Sequence, residues 1–264
     1  MRIALFQMTA GDDVAKNLDT AEKAVVLCAG KFGARLICLP EYFMYGGSER
    51  QWKRIAREET PKVLESMSKL ARVLRVYIAL GSVLEDVPRT KKCANTSIML
   101  DPKGREIARY RKRHLFNVNL PGAKYHESKY LVAGTKAVVC KVDDWKVGLS
   151  LCFDIRFAEE YAELRRMGAE LFLVPSAFSA FTGRSHWDAL LRTRAIENQR
   201  YVAAAGLCGQ MASGKMCHGH SMIIDPWGTV RAEAQDVPLA ISETIDHQEI
   251  RKVSRMIPMG LPRK

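Results

Sequence analysis

Thr96-Ser97-Ile98-Met99-Leu100-Asp101-Pro102-Lys103-Gly104-Arg105-Glu106-Ile107-Ala108-Arg109-Tyr110 is the stretch that decides the fold. Two β-prone runs flank Asp-Pro-x-Gly, in which Pro presets the backbone of the second turn residue and Gly closes the turn, so the stretch reads as a β-hairpin. The same figure recurs far downstream. Residues 220–224, the turn Asp225-Pro226-Trp227-Gly228 and residues 229–231 form a second such hairpin. Two Asp-Pro-x-Gly hairpins at distant positions predict an α/β chain of two sheets with internal pseudo-symmetry, not one purely parallel sheet.

Upstream of the first hairpin, residues 3–8 read as a strand and 16–32 as a helix stopping near Gly30 or Gly33. Residues 36–39 are a short buried strand ending at Pro40-Glu41, 61–74 a helix and 76–83 a strand. Between the hairpins, residues 137–141 and 146–151 pair across Asp143-Asp144, and 157–167 form a helix closed by Gly168. Strand 170–174, helix 184–199 and strand 201–205 follow, then strand 239–245, a short helix and a polar tail from about residue 250. Loops are expected at 44–52 and 178–183. No Pro/Gly-rich linker divides the chain, so residues 1–264 read as a single domain.

The chain has 264 residues, 47% hydrophobic and 27% charged, enough to bury a sizeable core and too apolar for wholesale disorder. No apolar run is long enough to cross a bilayer, and the first residues read as a strand, not a secretion signal, which predicts a cytoplasmic protein without a membrane partner. The seven cysteines are odd in number and contain no Cys-x-x-Cys pair, which favours reduced thiols. The net charge of +12 is spread along the chain with no nucleic-acid-binding signature, so no nucleic-acid partner is expected, and the charge serves either an anionic small-molecule substrate or solubility alone.

Reactive groups in α/β proteins sit where strands end in loops. Three such ends carry one here. Leu36-Ile37-Cys38-Leu39-Pro40-Glu41 delivers a carboxylate, Tyr110-Arg111-Lys112-Arg113-His114-Leu115-Phe116 an ammonium, and Val147-Gly148-Leu149-Ser150-Leu151-Cys152-Phe153-Asp154 a thiol at a strand-to-helix junction. Backbone N–H groups at that junction are expected to favour the thiolate. Cys, Lys and Glu together make a hydrolytic set: nucleophile, stabiliser of developing negative charge, and proton acceptor. On an extended segment Lys112 would point inward and Arg111 and Arg113 away.

Leu39-Pro40-Glu41, residues 110–116 and Cys152-Phe153-Asp154-Ile155-Arg156-Phe157 resemble the three signature blocks of the nitrilase superfamily of carbon–nitrogen hydrolases. Pro175-Ser176-Ala177-Phe178, His186-Trp187 through Asn198, and residues 219–228 extend the likeness collinearly over nearly the whole chain. The resemblance implies a four-layer α-β-β-α sandwich, two mixed sheets flanked by helices. It implies that Glu41 is the general base, Lys112 the oxyanion-stabilising acid, Cys152 the nucleophile and Glu127 the residue that holds the lysine. Phe116, Phe153 and Phe178 are the candidate substrate contacts. No metal or organic cofactor is implied.

The reaction expected from this resemblance is hydrolysis of a small amide through a thioester, with release of ammonia. Arg-Lys-x-His-Leu-Phe, the Pro121-Gly122 after it and Asp-x-Arg-Phe resemble the omega-amidase and deaminated-glutathione amidase branch. An N-carbamoyl amine hydrolase is the alternative, and a catalytically silent interaction module the alternative from another class. Asn117 and Ala158 depart from the common Asp and Pro of the family, at positions that carry no catalytic group. The resemblance also implies a homodimer, with Tyr161, Leu164 and Met167 displayed on the pairing helix and the tail reaching over the partner.

Other residues have plainer roles. Cys217-His218-Gly219-His220 lacks a second ligand group with zinc spacing and reads as structural. Asn95-Thr96-Ser97 is structural, His114 packs and hydrogen-bonds behind Lys112, and Trp187 and Trp227 pack. Arg156 either faces the pocket or pairs with Asp154 or Glu160; pairing is the expectation.

Overall fold

The computed structural model describes residues 1–120 and 123–260. The chain begins β1 (Arg2–Gln7), α1 (Val14–Phe32), β2 (Leu36–Cys38), α2 (Trp52–Glu58), α3 (Thr60–Leu74) and β3 (Tyr77–Ala79). Next come β4 (Val83–Asp86), β5 (Cys93–Leu100), β6 (Glu106–Arg111), a hairpin of β7 (Asn117–Leu120) and β8 (Ala123–His126), then β9 (Val138–Val142) and β10 (Trp145–Leu149). The second half runs α4 (Ala158–Arg166), β11 (Leu171–Leu173), α5 (Ala180–Asn198), β12 (Tyr201–Ala204), β13 (Cys208–Gln210) and β14 (Met216–His218). It closes with β15 (Met222–Ile224), β16 (Val230–Glu233), β17 (Leu239–Thr244) and α6 (His247–Met256).

Side-chain alternation along the strands builds the layers. Ile3 and Leu5 of β1 join a core shared with Val147, Leu149, Leu171 and Leu173 of the second sheet, whereas Ala4 between them faces Val25 and Cys28 of α1. Phe172 and Val202 likewise point to the other side, against Tyr161 of α4 and Leu191 of α5. One apolar layer between the sheets and one beneath each helical face make an α-β-β-α sandwich. The strand orders are β17-β1-β2-β3-β5-β4, with β6 on β5, and β16-β15-β12-β11-β10-β9. Each sheet has three parallel strands at its centre, with antiparallel strands to either side.

The two Asp-Pro-x-Gly turns are held alike. Asp101 Oδ1 accepts from the N–H groups of Lys103 and Arg105, and Asp225 Oδ1 from those of Trp227 and Thr229, all at 2.8–2.9 Å. The first helix is capped by Asp13 and stops at Gly33, whose φ of 62° suits a residue without Cβ.

Several elements differ from expectation. The strand expected at 76–83 is broken at Gly81 (φ 54°), and pairing with β5 shifts register by one residue between β3 and β4. Helix α2 begins at the last residue of the expected 44–52 loop and fills a stretch for which no element was expected; its buried face is only Trp52, Ile55 and Ala56 among charged neighbours. Hairpins β7–β8 and β13–β14 lie where no strands were expected, being short and largely polar. Helix α5 starts at Ala180, so four of the six residues of the expected 178–183 loop form its first turn. Tyr161 and Leu164 are fully buried in this chain's own core and are not displayed to a partner; only Met167 of the three is exposed. Trp187 is buried as expected, but Trp227 is half exposed at its turn. The Pro121-Gly122 pair and residues 261–264 of the tail lie outside the described residues. Among the described residues no helix is long and apolar enough to cross a membrane.

Candidate active site

Two strands deliver the first two charged groups, β2 leading to Glu41 and β6 to Lys112. Glu41 and Lys112 are each 1% exposed, and Lys112 Nζ lies 2.9 Å from Glu41 Oε1 and 3.0 Å from Glu127 Oε2. A lysine this deeply buried is tolerable only because two carboxylates compensate it. Burial opposes its charge, but Glu127 and Glu41 outweigh that and hold its pKa well above the ordinary lysine value. Glu41 is the mirror case: burial works against its ionisation, Lys112 and then Lys215 favour it, and the net direction is downward.

The carboxylates are themselves held. Glu41 Oε1 accepts from the Asn95 side chain of β5 at 2.8 Å, and Oε2 from the Ala177 backbone N–H at 2.8 Å. Glu127 accepts from the Phe116 N–H at 2.8 Å and the Tyr42 hydroxyl at 3.1 Å. Gly81 makes room for this arrangement. A Cβ there would collide with the carbonyls of Pro40 and Leu39, and the adjacent Ser82 hydroxyl accepts from the Tyr42 N–H at 3.0 Å. The broken strand is therefore the seat of the turn that carries Glu41.

Cys152 opens a 3-10 turn (Cys152–Arg156) and has φ 45°, the left-handed region that a residue with a Cβ enters at a cost of about 1–3 kcal/mol. Its N–H donates to Pro175 O at 2.9 Å. Asp154, fully buried, accepts from the Leu151 N–H at 2.8 Å, the Tyr110 hydroxyl at 2.7 Å and the His114 N–H at 3.0 Å. Tyr110 and His114 flank Lys112 by two residues on either side, so one carboxylate ties the thiol's turn to the lysine's segment. His114 thus bonds toward the Cys152 turn and stacks on Phe157, rather than sitting behind Lys112.

The expected favouring of the thiolate is not what the site does. Burial, and then Glu41, push the Cys152 thiol up from its ordinary value, against the opposing pull of Lys112 and Lys215. A 3-10 turn stands between β10 and α4, which begins at Ala158, within one residue of the expected start. The thiol is therefore held protonated beside an ionised carboxylate, which suits proton transfer at the moment of attack.

A narrow pocket of about 10 Å³ is lined by Lys112, Glu127, Cys152 and all three phenylalanines expected there, Phe116, Phe153 and Phe178. It adjoins an outer cavity of about 480 Å³ through Phe116, Glu127 and Lys215, which line both. Arg156 also lines the inner pocket. The expected pairing with Asp154 or Glu160 is not found: Glu160 pairs with Arg113 at 2.8 Å, and Arg156 reaches His186 and stacks over Phe153 and Phe178. Arg111 points outward to Glu85, as alternation predicts, while Arg113 is only partly exposed and paired to Glu160 and Glu163.

Asn95 and Lys215 were not read as site residues from sequence. Asn95 stood in a strand whose every residue is buried, and Lys215 in a short Ser-Gly-Lys turn that resembles any polar loop. His218 and His220 stack on each other, and among the described residues no group of His, Cys, Asp and Glu could hold a metal ion.

Residues 2–255 match the family model described as carbon-nitrogen hydrolase. The deaminated glutathione amidase of Synechocystis sp. is 40% identical over 262 residues, 97% of this chain and 95% of that protein. The crystal structure of Saccharomyces cerevisiae Nit3, a member of branch 10 of the nitrilase superfamily, superposes with a TM-score of 0.90 at 30% identity, covering 98% of this chain and 94% of that one. A variant of the amidase from Nesterenkonia sp. AN1, carrying acrylamide joined by Michael addition at its active-site cysteine, superposes at 0.83 with 25% identity and 98% of each chain covered.

Proposed function

This chain belongs to the carbon-nitrogen hydrolase family, and we propose that it hydrolyses a small anionic amide by thiol chemistry on Cys152. The observation that carries this reading is the buried Glu41–Lys112–Glu127 group, whose Lys112 and Glu127 line the same pocket as Cys152, itself held at φ 45°. Cys152 Sγ attacks the carbonyl carbon while its proton passes to Glu41. The oxyanion forms against Lys112 Nζ and the Phe153 backbone N–H. Glu41 returns the proton to the leaving nitrogen, the C–N bond breaks, and an acyl thioester remains on Cys152. Water attacks the thioester with Glu41 taking its proton, and the acid product leaves as the thiol reforms.

The substrate class follows from charge and from kinship. The relative named deaminated glutathione amidase acts, by that name, on an amide of an acidic compound, and the pocket here has cations to spare for one. An inner pocket of about 10 Å³ has room for about one water-sized group, so the bulk of the molecule belongs in the outer cavity. A screen for ammonia or amine release over ω-amides, carbamoyl amines and nitriles tests this. Turnover confined to carbamoyl amines would transfer the assignment to that branch, and no turnover on any of them would favour a silent module.

We further read residues 1–264 as one hydrolase domain working as a homodimer in the cytoplasm. Seven buried, unpaired thiols suit a reducing compartment. Exposed Met167, Met256, Ile257 and Met259 offer apolar surface on α4 and the tail for an isologous contact. Sedimentation that finds only monomer at micromolar concentration removes the dimer.

A further inference from the structure

The pocket's charges do not balance within it. Lys112 is matched by Glu41 and Glu127, but Lys215 and Arg156 line the same pocket and neither has a carboxylate partner among the described residues. With the thiol protonated, three cations (Lys112, Lys215 and Arg156) stand against two carboxylates, which leaves one positive charge uncompensated.

Of the two, Lys215 holds the more telling place. It follows Gly214 at the tip of the β13–β14 hairpin and lines both the inner pocket and the outer cavity. Its ammonium lies 5.3 Å from the Phe116 ring centroid and 5.6 Å from that of Tyr125, and these ring faces are the partners it has among the described residues. The hairpin that carries it is tied to the walls of the site. The Met211 N–H donates to Lys215 O, the Ser213 N–H to Gly46 O, and the His218 N–H to Phe178 O, each at 2.8–2.9 Å. Burial opposes the charge, yet the net direction for Lys215 is upward. A lysine fixed at a pocket mouth on aromatic rings, with no carboxylate in ion-pair contact among the described residues, is built to meet an anion that arrives with the ligand.

We propose that Lys215 is a specificity-determining residue that receives a carboxylate of the substrate at the junction of the inner pocket and the outer cavity. This rests on the amidase reading above and deepens it. Lys215 takes no part in the bond changes; it selects, among amides, those whose chain carries an acid within reach of the junction.

The test uses the whole protein as wild type, Lys215→Met and Lys215→Arg. Glutarate is titrated calorimetrically, and kcat and KM are measured for glutaramate and for neutral pentanamide. In Lys215→Met, glutarate binding weakens about tenfold or more, and kcat/KM for glutaramate, chiefly through KM, falls about tenfold further than for pentanamide. Lys215→Arg recovers much of both. Equal losses on the two amides, carried by kcat, would make Lys215 part of thiol activation and overturn the proposal. Unchanged glutarate affinity, or a wild type that binds no glutarate at millimolar concentration, would overturn it too. A wild type that binds glutarate through Lys215 but cleaves neither amide would leave the anion site standing and remove the amidase reading instead.

Discussion

The hydroxyl of Tyr110 donates a 2.7 Å hydrogen bond to the buried carboxylate of Asp154. Through it the strand that delivers Lys112 is fastened to the turn that carries Cys152, two residues of separation on each side. Tyr110→Phe leaves that carboxylate short of one donor. It should lower stability by about 1–3 kcal/mol, and it should lower kcat as the turn loosens. Thermal unfolding and steady-state kinetics on the same samples check this; lost stability with unchanged kcat would separate the turn's integrity from the chemistry.

Gly81→Ala should be costly for two reasons, a φ of 54° and a Cβ driven into the carbonyls of Pro40 and Leu39. Gly33→Ala is the matched comparison, since its φ is 62° but the space beside it is open. Both should lose about 1 kcal/mol to backbone strain. Only Gly81→Ala should also depress activity, because the turn bearing Glu41 must move. Equal activity in the two variants would mean that the Glu41 turn does not depend on the broken strand.

Lys112→Met should reduce kcat/KM by at least roughly a hundredfold, the loss typical of removing one oxyanion donor. Arg111→Ala removes an outward residue paired to Glu85 and should cost far less. Arg113→Ala should act on stability through Glu160 and Glu163. Similar kinetic losses in all three would mean that the lysine is only one member of a basic surface.

How much of this was legible beforehand differs by element. Glu41, Lys112 and Cys152 stood out because each follows a strand end, but it was the family resemblance that joined them, with Glu127, into one group. Arg156 was misjudged because spacing along one helix turn suggested Asp154 or Glu160, whereas both acids are taken by residues distant in sequence, Tyr110, His114 and Arg113. Tyr161 and Leu164 looked like a displayed face because a one-sided apolar stripe does not say whether it meets its own core or a partner. Lys215 and Asn95 were missed because their meaning lies wholly in what the fold brings beside them.

Glu160 provides a pH-dependent signature. Burial first, then the charge of Asp154, pushes its carboxyl up to about 7, despite Arg113 beside it. A carboxyl raised in the folded state favours folding when protonated, so that contribution is present below the ordinary carboxylate range and lost as pH rises through about 7. Glu160→Gln, which cannot ionise, should gain stability relative to wild type between pH 5 and pH 8, as followed by denaturant unfolding. Parallel stability curves for the two proteins would contradict this.

The central claim is that Cys152 forms the bond to the acyl carbon, and Cys152→Ala measures it most directly. A small side chain replaces another at a buried turn, so the fold should persist, and circular dichroism and thermal unfolding should stay close to wild type. Amine release from an amide that the wild type cleaves should fall by roughly a thousandfold or more, to the background left by the pocket alone. Cys208→Ala, which alters a buried thiol outside the inner pocket, should keep most of its turnover. Substantial amine release by folded Cys152→Ala would contradict the account.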